Sequence, residues 1–351
     1  MCNIAGFIGK RQAAPVLLEM IARQEGLGGG YFAGICTLHE GKLHMRKTEG
    51  SIEDLLRDTD ANELPGTIGI AHTRPDMGGG SGHAHPFISY DEQVALIANG
   101  HLGQYASCSD RSALAVEIIA HGGSFTSHIN GPGPNTAEPR PRLPDGRYVH
   151  VSDLFCQLVA TEINQCGSVS DGIVTATAKL PEEVVSLILH TSTSHQINVS
   201  RISQPLMIAR KDDETFLATS AMGFGFETPD WFSVFPASST GAVTRTDIIV
   251  RPLCIPGKQC CYHFPYAEAY AIVKRTLKLS EGACVQDLKD ATSHLWPKGA
   301  APQKDLLVYE ILRSLGNDGK LTQKNLPRKS VHSGRIGPHF RFFLNENNNP
   351  N

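Results

Sequence analysis

The chain has 351 residues, more than one ordinary domain, with 40% hydrophobic and 19% charged, which excludes a disordered or fibrous protein. A net charge of -3 gives no general attraction to nucleic acid, and no apolar run is long enough to span a bilayer. The first ten residues, MCNIAGFIGK, carry no basic stretch ahead of a sustained apolar one, so the expected location is the cytoplasm, away from membranes. Nine scattered cysteines, an odd number, argue against a disulfide framework, and the adjacent Cys260 and Cys261 lack the second close pair of a structural zinc site.

Ile4 to Ile8 reads as a strand, and AAPVLLEMIARQ then places Leu17, Met20 and Ile21 on one helical face. GTIGIAHT and VALIANG are short, rich in β-branched residues and bounded by turn chemistry, as buried strands are. Residues 121 to 148 are dense in Gly, Pro, Ser and Asn without periodicity, which predicts an irregular surface insertion. SDLFCQLVATEI has a helix start signal, and LPEEVVSLILHTS, with Pro181 in a first-turn position and Leu180, Val184 and Leu187 on one side, predicts a second packed helix. From Pro205, PLMIA and TFLATS form a hairpin around Arg210 to Glu214, followed by the strands WFSVF, GAVTRT and DIIVRPL. Beyond about Pro252 the chain turns helical and basic, with Tyr266, Tyr270, Val273 and Leu277 on one stripe and Val308, Ile311, Leu312 and Leu315 on another. Residues 253 to 351 hold 14 Lys/Arg against 8 Asp/Glu and are expected to form a separate, mainly helical appendage.

A Met1-Cys2 start means little alone. Four segments in chain order give it weight: MCNIAGFIG at the start, AHTRPDMGGGSGHAHPF at 71 to 87, ALIANGHLGQY at 95 to 105, and VSDLF at 151 to 155. In order and setting these segments resemble the class II, N-terminal-nucleophile glutamine amidotransferases, in particular the glutaminase half of the glucosamine-6-phosphate synthases. The likeness covers roughly residues 1 to 252. It implies an α+β fold, the four-layer αββα sandwich of the N-terminal-nucleophile hydrolases, and hydrolysis of the side-chain amide of L-glutamine. No cofactor or metal is implied.

An amide carbon is a poor electrophile, so this reaction needs an activated nucleophile and a site for the oxyanion. With Met1 removed, the α-amine of Cys2 can take the thiol proton and later return it to the leaving ammonia. The resemblance assigns Asn99 and Gly100 to the oxyanion hole, although an Asn-Gly pair after a strand also reads as a plain turn. Glutamine's α-carboxylate and α-ammonium call for one fixed cation and one fixed anion, and Arg74 and Asp153 match the family's positions for them. Asp153 directly after Ser152 equally suits a helix start. His85 falls in the matching AHP motif and is expected in the pocket wall. His72, His83, His85 and His101 cluster in the same segments, but a pocket role outweighs metal binding. The glycines at 78, 79, 80 and 82 fit a lid over the pocket better than a phosphate cradle.

Departures from the family are local. Asn3 replaces its Gly and puts a side chain next to the nucleophile, TRWATHG becomes TRPDMGG, RGYDSAG is reduced to GGYFAG, and Ala98 replaces a His. Two other readings therefore stay open: a γ-glutamyl or other small-amide hydrolase on the same fold, and a non-catalytic binding or assembly module. No sugar-isomerase domain fits in residues 253 to 351, so the ammonia acceptor is expected on another chain, or the appendage serves self-association. The segment from Lys320 to Leu344, with six cations, no acid and Phe340, Phe342 and Phe343 interleaved, suits either an anionic surface or a basic tail folded on the main domain.

Overall fold

Asn3–Ile8, NIAGFI, has every side chain buried, which a strand achieves when both faces of its sheet are covered. In the computed structural model, which describes residues 2–132, 140–226, 228–255, 264–296 and 303–345, this strand (β1) is central to a seven-stranded sheet. The next strands are β2 (Phe32–His39), β3 (Lys42–Thr48), β4 (Ile68–Arg74), β5 (Phe87–Ile88), β6 (Val94–His101) and β7 (Glu183–His190). Then come β8 (Gln196–Arg201), β9 (Met207–Lys211), β10 (Glu214–Ala218), β11 (Trp231–Val234), β12 (Ser239–Thr244) and β13 (Ile248–Pro252). The first sheet runs β11-β9-β10-β1-β4-β2-β3 and the second, of six strands, β13-β12-β8-β7-β6-β5; every pairing is antiparallel.

Side-chain alternation stacks these sheets. Ile4 and Ile8 of β1, and Ile68 and Ile70 of β4, meet Ala95, Ile97, Val185 and Leu187 of the second sheet in one core. Ala5 and Phe7 point the other way, onto helix α1 (Ala13–Ala22), with the short α2 (Glu25–Gly28) and α3 (Ile52–Asp58) beside it. The far face of the second sheet, with Val94, Leu96 and Ile188, packs on α4 (Arg111–Ala120), α5 (Val151–Cys166) and α6 (Val169–Lys179). The layers are therefore helix, sheet, sheet, helix, as expected.

One expected helix is a strand. Residues 183 to 190 form β7, buried at all eight positions. A short apolar run covered on both faces carries no period, and Val184, Val185 and Ile188 favour the strand. The insertion at 121 to 148 is also less superficial than expected, since Phe125, Ser127 and Leu143 are buried.

After β13 the chain forms α7 (Tyr266–Leu279), α8 (Val285–Thr292) and α9 (Lys304–Asn317), then two small hairpin-like sheets: β14 (Leu321–Asn325) with β17 (Phe340–Leu344), and β15 (Arg328–Lys329) with β16 (Ile336–Gly337). Phe340 and Phe342 are buried in the core of this region, which also takes in Leu27 of α2. Buried Arg201 donates to the Gln303 side chain at 3.1 Å, and Gln303 donates back to the Ser203 carbonyl at 3.0 Å. Cys260 and Cys261 lie outside the described residues. Among the described residues no helix is long and apolar enough to cross a membrane.

Candidate active site

Three strands deliver the site by their parity. Cys2 continues the alternation that sends Ile4 and Ile8 into the inter-sheet layer, His72 and Arg74 continue that of Ile68 and Ile70, and Asn99 that of Ala95 and Ile97. All four lie at one end of this layer. His72 ties the two sheets together there, its Nε2 lying 3.1 Å from the Ala98 carbonyl of β6. Cys2 is half-buried, and burial pushes its thiol up while the nearby Arg74 guanidinium pulls it down. A thiol with a raised pKa is a poor nucleophile until a base takes its proton.

Asn99 is fully buried, and neither its amide nitrogen nor its oxygen has a hydrogen-bond partner among the described residues. Leaving such a group unpaired costs about 1–3 kcal/mol, so the Asn99 amide is available to an oxygen brought to this end of the layer. Gly100 follows with φ of +143°, and a Cβ there would sit 2.2 Å from the Glu183 carbonyl oxygen. Only glycine fits.

The Arg74 guanidinium is held by its own loop. It donates to the carbonyls of His83 and Gly78, each at 2.8 Å, and stacks over the Phe32 ring at 4.4 Å. Burial lowers it to about 10, so it stays a cation at neutral pH. Gly78, Gly79 and Gly80 all have positive φ, which lets the loop fold back over the guanidinium.

Asp153, also fully buried, is more committed than a free anchor. One carboxylate oxygen accepts from the Thr126 and Ser127 amides, each at 2.9 Å, and from the Ser127 hydroxyl at 2.8 Å; the other accepts from Gln157 at 2.8 Å. It holds the insertion onto α5. His85 packs among rings rather than on an open wall, with centroids 4.0 Å from His72, 4.8 Å from Phe87 and 5.3 Å from His150. His83 completes this buried group, its Nε2 lying 2.8 Å from the Ser127 carbonyl. Burial lowers His72 and His83 to about 3 and holds His85 and His150 well below the usual histidine range. His101 stands apart on the exposed end of β6.

Asn3 does not crowd Cys2. Its side chain shares the parity of Ala5 and Phe7, points toward the helical layer and donates to the Gln24 carbonyl at 3.0 Å. Two residues near the site escape sequence reasoning. Asp76 accepts from the Gly78 amide at 3.0 Å and, through its other oxygen, from the Ser330 hydroxyl at 2.7 Å and the Ser333 amide at 3.1 Å. The Asp-x-Gly spacing signals the first of these bonds; nothing local signals the others. Tyr309 of α9 is fully buried, with a hydroxyl that has no hydrogen-bond partner among the described residues; burial pushes its phenol well above the usual range, Asp305 and Cys2 adding to the effect.

The chain is 25% identical over 265 residues to the glutamine–fructose-6-phosphate aminotransferase (isomerizing) of Pyrococcus horikoshii, covering 71% of this chain and 40% of that protein. Its namesake from Bacteroides thetaiotaomicron is 30% identical over 228 residues, 63% of this chain and 32% of the relative, and that from Chlorobaculum tepidum 31% over 226 residues with the same coverage. The likeness to these aminotransferases covers the N-terminal part of the chain. The chain thus spans less than half the length of these relatives. Glutamine phosphoribosylpyrophosphate amidotransferase from B. subtilis, solved with ADP and GMP, superposes with a TM-score of 0.58 at 15% identity over 95% of this chain and 68% of that one, which establishes the shared fold. No family model matches.

Proposed function

We propose that residues 1–252 hydrolyse the side-chain amide of L-glutamine to glutamate and ammonia, with 253–351 as an accessory region. The observation that carries this reading is the unpaired, fully buried Asn99 amide, beside a glycine that admits no side chain, at the end of the inter-sheet layer shared by Cys2 and Arg74.

Removal of Met1 frees the Cys2 amine, which takes the thiol proton as sulfur attacks the amide carbon. The carbonyl oxygen becomes an oxyanion, and the Asn99 amide and Gly100 N–H stabilise it. Collapse breaks the C–N bond, the amine's proton leaves with ammonia, and water then hydrolyses the Cys2 thioester to glutamate. Arg74 has N–H groups beyond those bonded to its loop, and these receive the α-carboxylate. Asp153 retains lone-pair capacity on the oxygen facing Gln157, and it receives the α-ammonium while holding residues 126 and 127. The ammonia passes to an acceptor enzyme.

The test is glutamate release from glutamine by the pure protein, beside a Cys2→Ala variant and labelling by a glutamine-like electrophile. Glutamate release and label that both vanish in Cys2→Ala support the reading. Labelling without turnover, or faster turnover of another γ-glutamyl amide, would transfer it to one of the two rival readings.

A further inference from the structure

The loop after β4 is tied down by the far end of the chain. Asp76 is only 6% exposed, and its two carboxylate oxygens have different partners. One accepts from the Gly78 amide at 3.0 Å, two residues ahead in its own loop. The other accepts from the Ser330 hydroxyl at 2.7 Å and the Ser333 amide at 3.1 Å. Burial pushes this carboxyl up, but the bonds from Ser333, Ser330 and Gly78 outweigh it and hold Asp76 below the usual carboxylate range. At neutral pH it is an anion, and bonds to an ionised acceptor are the stronger kind.

The donors are set by their own hairpin. The Ser330 amide donates to the Arg335 carbonyl at 2.7 Å and the Gly334 amide to the Ser330 carbonyl at 3.1 Å, closing the turn between β15 and β16. Where the family motif TRWATHG becomes TRPDMGG, Asp76 stands at the position of Ala, a side chain that accepts none of these bonds. The same replacement brings Gly78, beside Gly79 and Gly80, all at positive φ. Consecutive glycines lose much backbone freedom when a loop orders. A loop ordered only by its substrate would weaken binding by that cost, whereas one ordered beforehand does not.

We infer that Asp76 is a positioning residue for glutamine: it latches the 75–80 loop to the accessory region and so presets Arg74 for the substrate's α-carboxylate. The link is Gly78, whose amide Asp76 holds and whose carbonyl accepts from Arg74 at 2.8 Å. With the latch open, Gly78 can turn away, and the guanidinium loses one of the two 2.8 Å acceptors that aim it. Cys2 and Asn99 are untouched, so the effect falls on substrate binding rather than on the chemical step. The kinetic half of this inference rests on the proposed glutaminase activity; the latch itself does not.

The experiment pairs glutamate-release kinetics with hydrogen exchange, both on the full chain. Asp76→Ala raises the KM for glutamine tenfold or more with kcat within threefold, and speeds exchange in the 76–80 segment at least tenfold. Because Asp76 acts through Arg74, the same change made in Arg74→Ala adds less than twofold. Ser330→Ala shifts KM in the same direction and adds less than twofold to Asp76→Ala. Tyr31→Phe removes a 2.6 Å bond to the Arg328 carbonyl at the same junction without touching Asp76, and keeps KM within twofold. Should Asp76→Ala fail to fold, Asp76→Asn, which keeps the size but turns one acceptor into a donor, is read for the same shift. An unchanged KM, a loss in kcat alone, or a full further loss in the Arg74→Ala background would overturn the positioning role. Equal exchange in the unaltered protein and the Asp76 variant would overturn the latch. No glutamate release from the unaltered protein would remove the kinetic half together with the glutaminase reading, while faster exchange in the variant would still establish the latch.

Discussion

Asn99 and Arg74 serve different stages of the proposed reaction, and their variants should separate accordingly. Asn99→Ala removes a donor needed only when the oxyanion forms, so kcat should fall about 10²- to 10³-fold with little change in KM. Steady-state kinetics decide it, and a purely KM-based effect would place Asn99 elsewhere. Arg74→Ala should instead raise KM, at a cost of about 2–5 kcal/mol if its partner carboxylate is desolvated. Asp153→Ala should do two things at once, since the carboxylate holds the Thr126 and Ser127 amides as well as facing the proposed pocket. Both KM and melting temperature should change; a loss confined to stability would leave it a structural residue. All of this presupposes a chain starting at Cys2, which intact mass reads directly. An active preparation that retains Met1 throughout would rule out the amine as base.

The end of β6 carries a tight backbone constraint beside Asn99. Gly100→Ala forces a methyl against the Glu183 carbonyl at a φ that side chains rarely adopt, so the β6–β7 register at Asn99 must shift. The expected cost is about 1–3 kcal/mol of stability. Glutamate release should be lost beyond what that destabilisation explains, and a thermal melt beside the kinetics separates the two effects. On the opposite face the insertion, α5 and β4 meet through the four buried histidines. Their neutral rings are what allow Arg74 to remain buried beside them as a cation.

Across the whole molecule, that histidine group sets acid stability. A histidine whose folded pKa lies below its unfolded value near 6.5 binds fewer protons when folded, so stability is full above about pH 6.5 and is lost as pH falls toward 3. At pH 5, His72 and His83 should each cost about 2 kcal/mol relative to neutral pH. Melting temperature followed from pH 8 to pH 5 should decline steeply, and a flat profile would refute the burial argument. The accessory region acts at the same level. Deleting residues 253–351 uncovers Leu27 and strips Asp76 of Ser330 and Ser333. The truncated protein should melt earlier and show a raised KM for glutamine; sizing, melting and kinetics unchanged from the full chain would show a region that merely rides on the domain.

By itself the sequence determined the local elements and the family likeness. β1, α1, α5, the β9–β10 hairpin and the stripes of α7 and α9 rest on spacing and turn residues within a few positions of each other, and the segments around Cys2, Arg74 and Asn99 are legible in the same way. What only the tertiary structure decided depends on covered faces and distant partners. Residues 183 to 190 became a strand because layers close over both faces of its sheet, which erases the alternation that would have revealed it. Asn3 turned toward Gln24 because its parity on β1 opposes that of Cys2. The carboxylates of Asp153 and Asp76 were assigned by amides 26 and 257 residues away in the chain, and the Tyr31 hydroxyl found its acceptor in the Arg328 carbonyl, 297 residues away. Local pattern records which backbone conformation a segment prefers; the partner of a buried charge is set by whatever the completed fold brings against it.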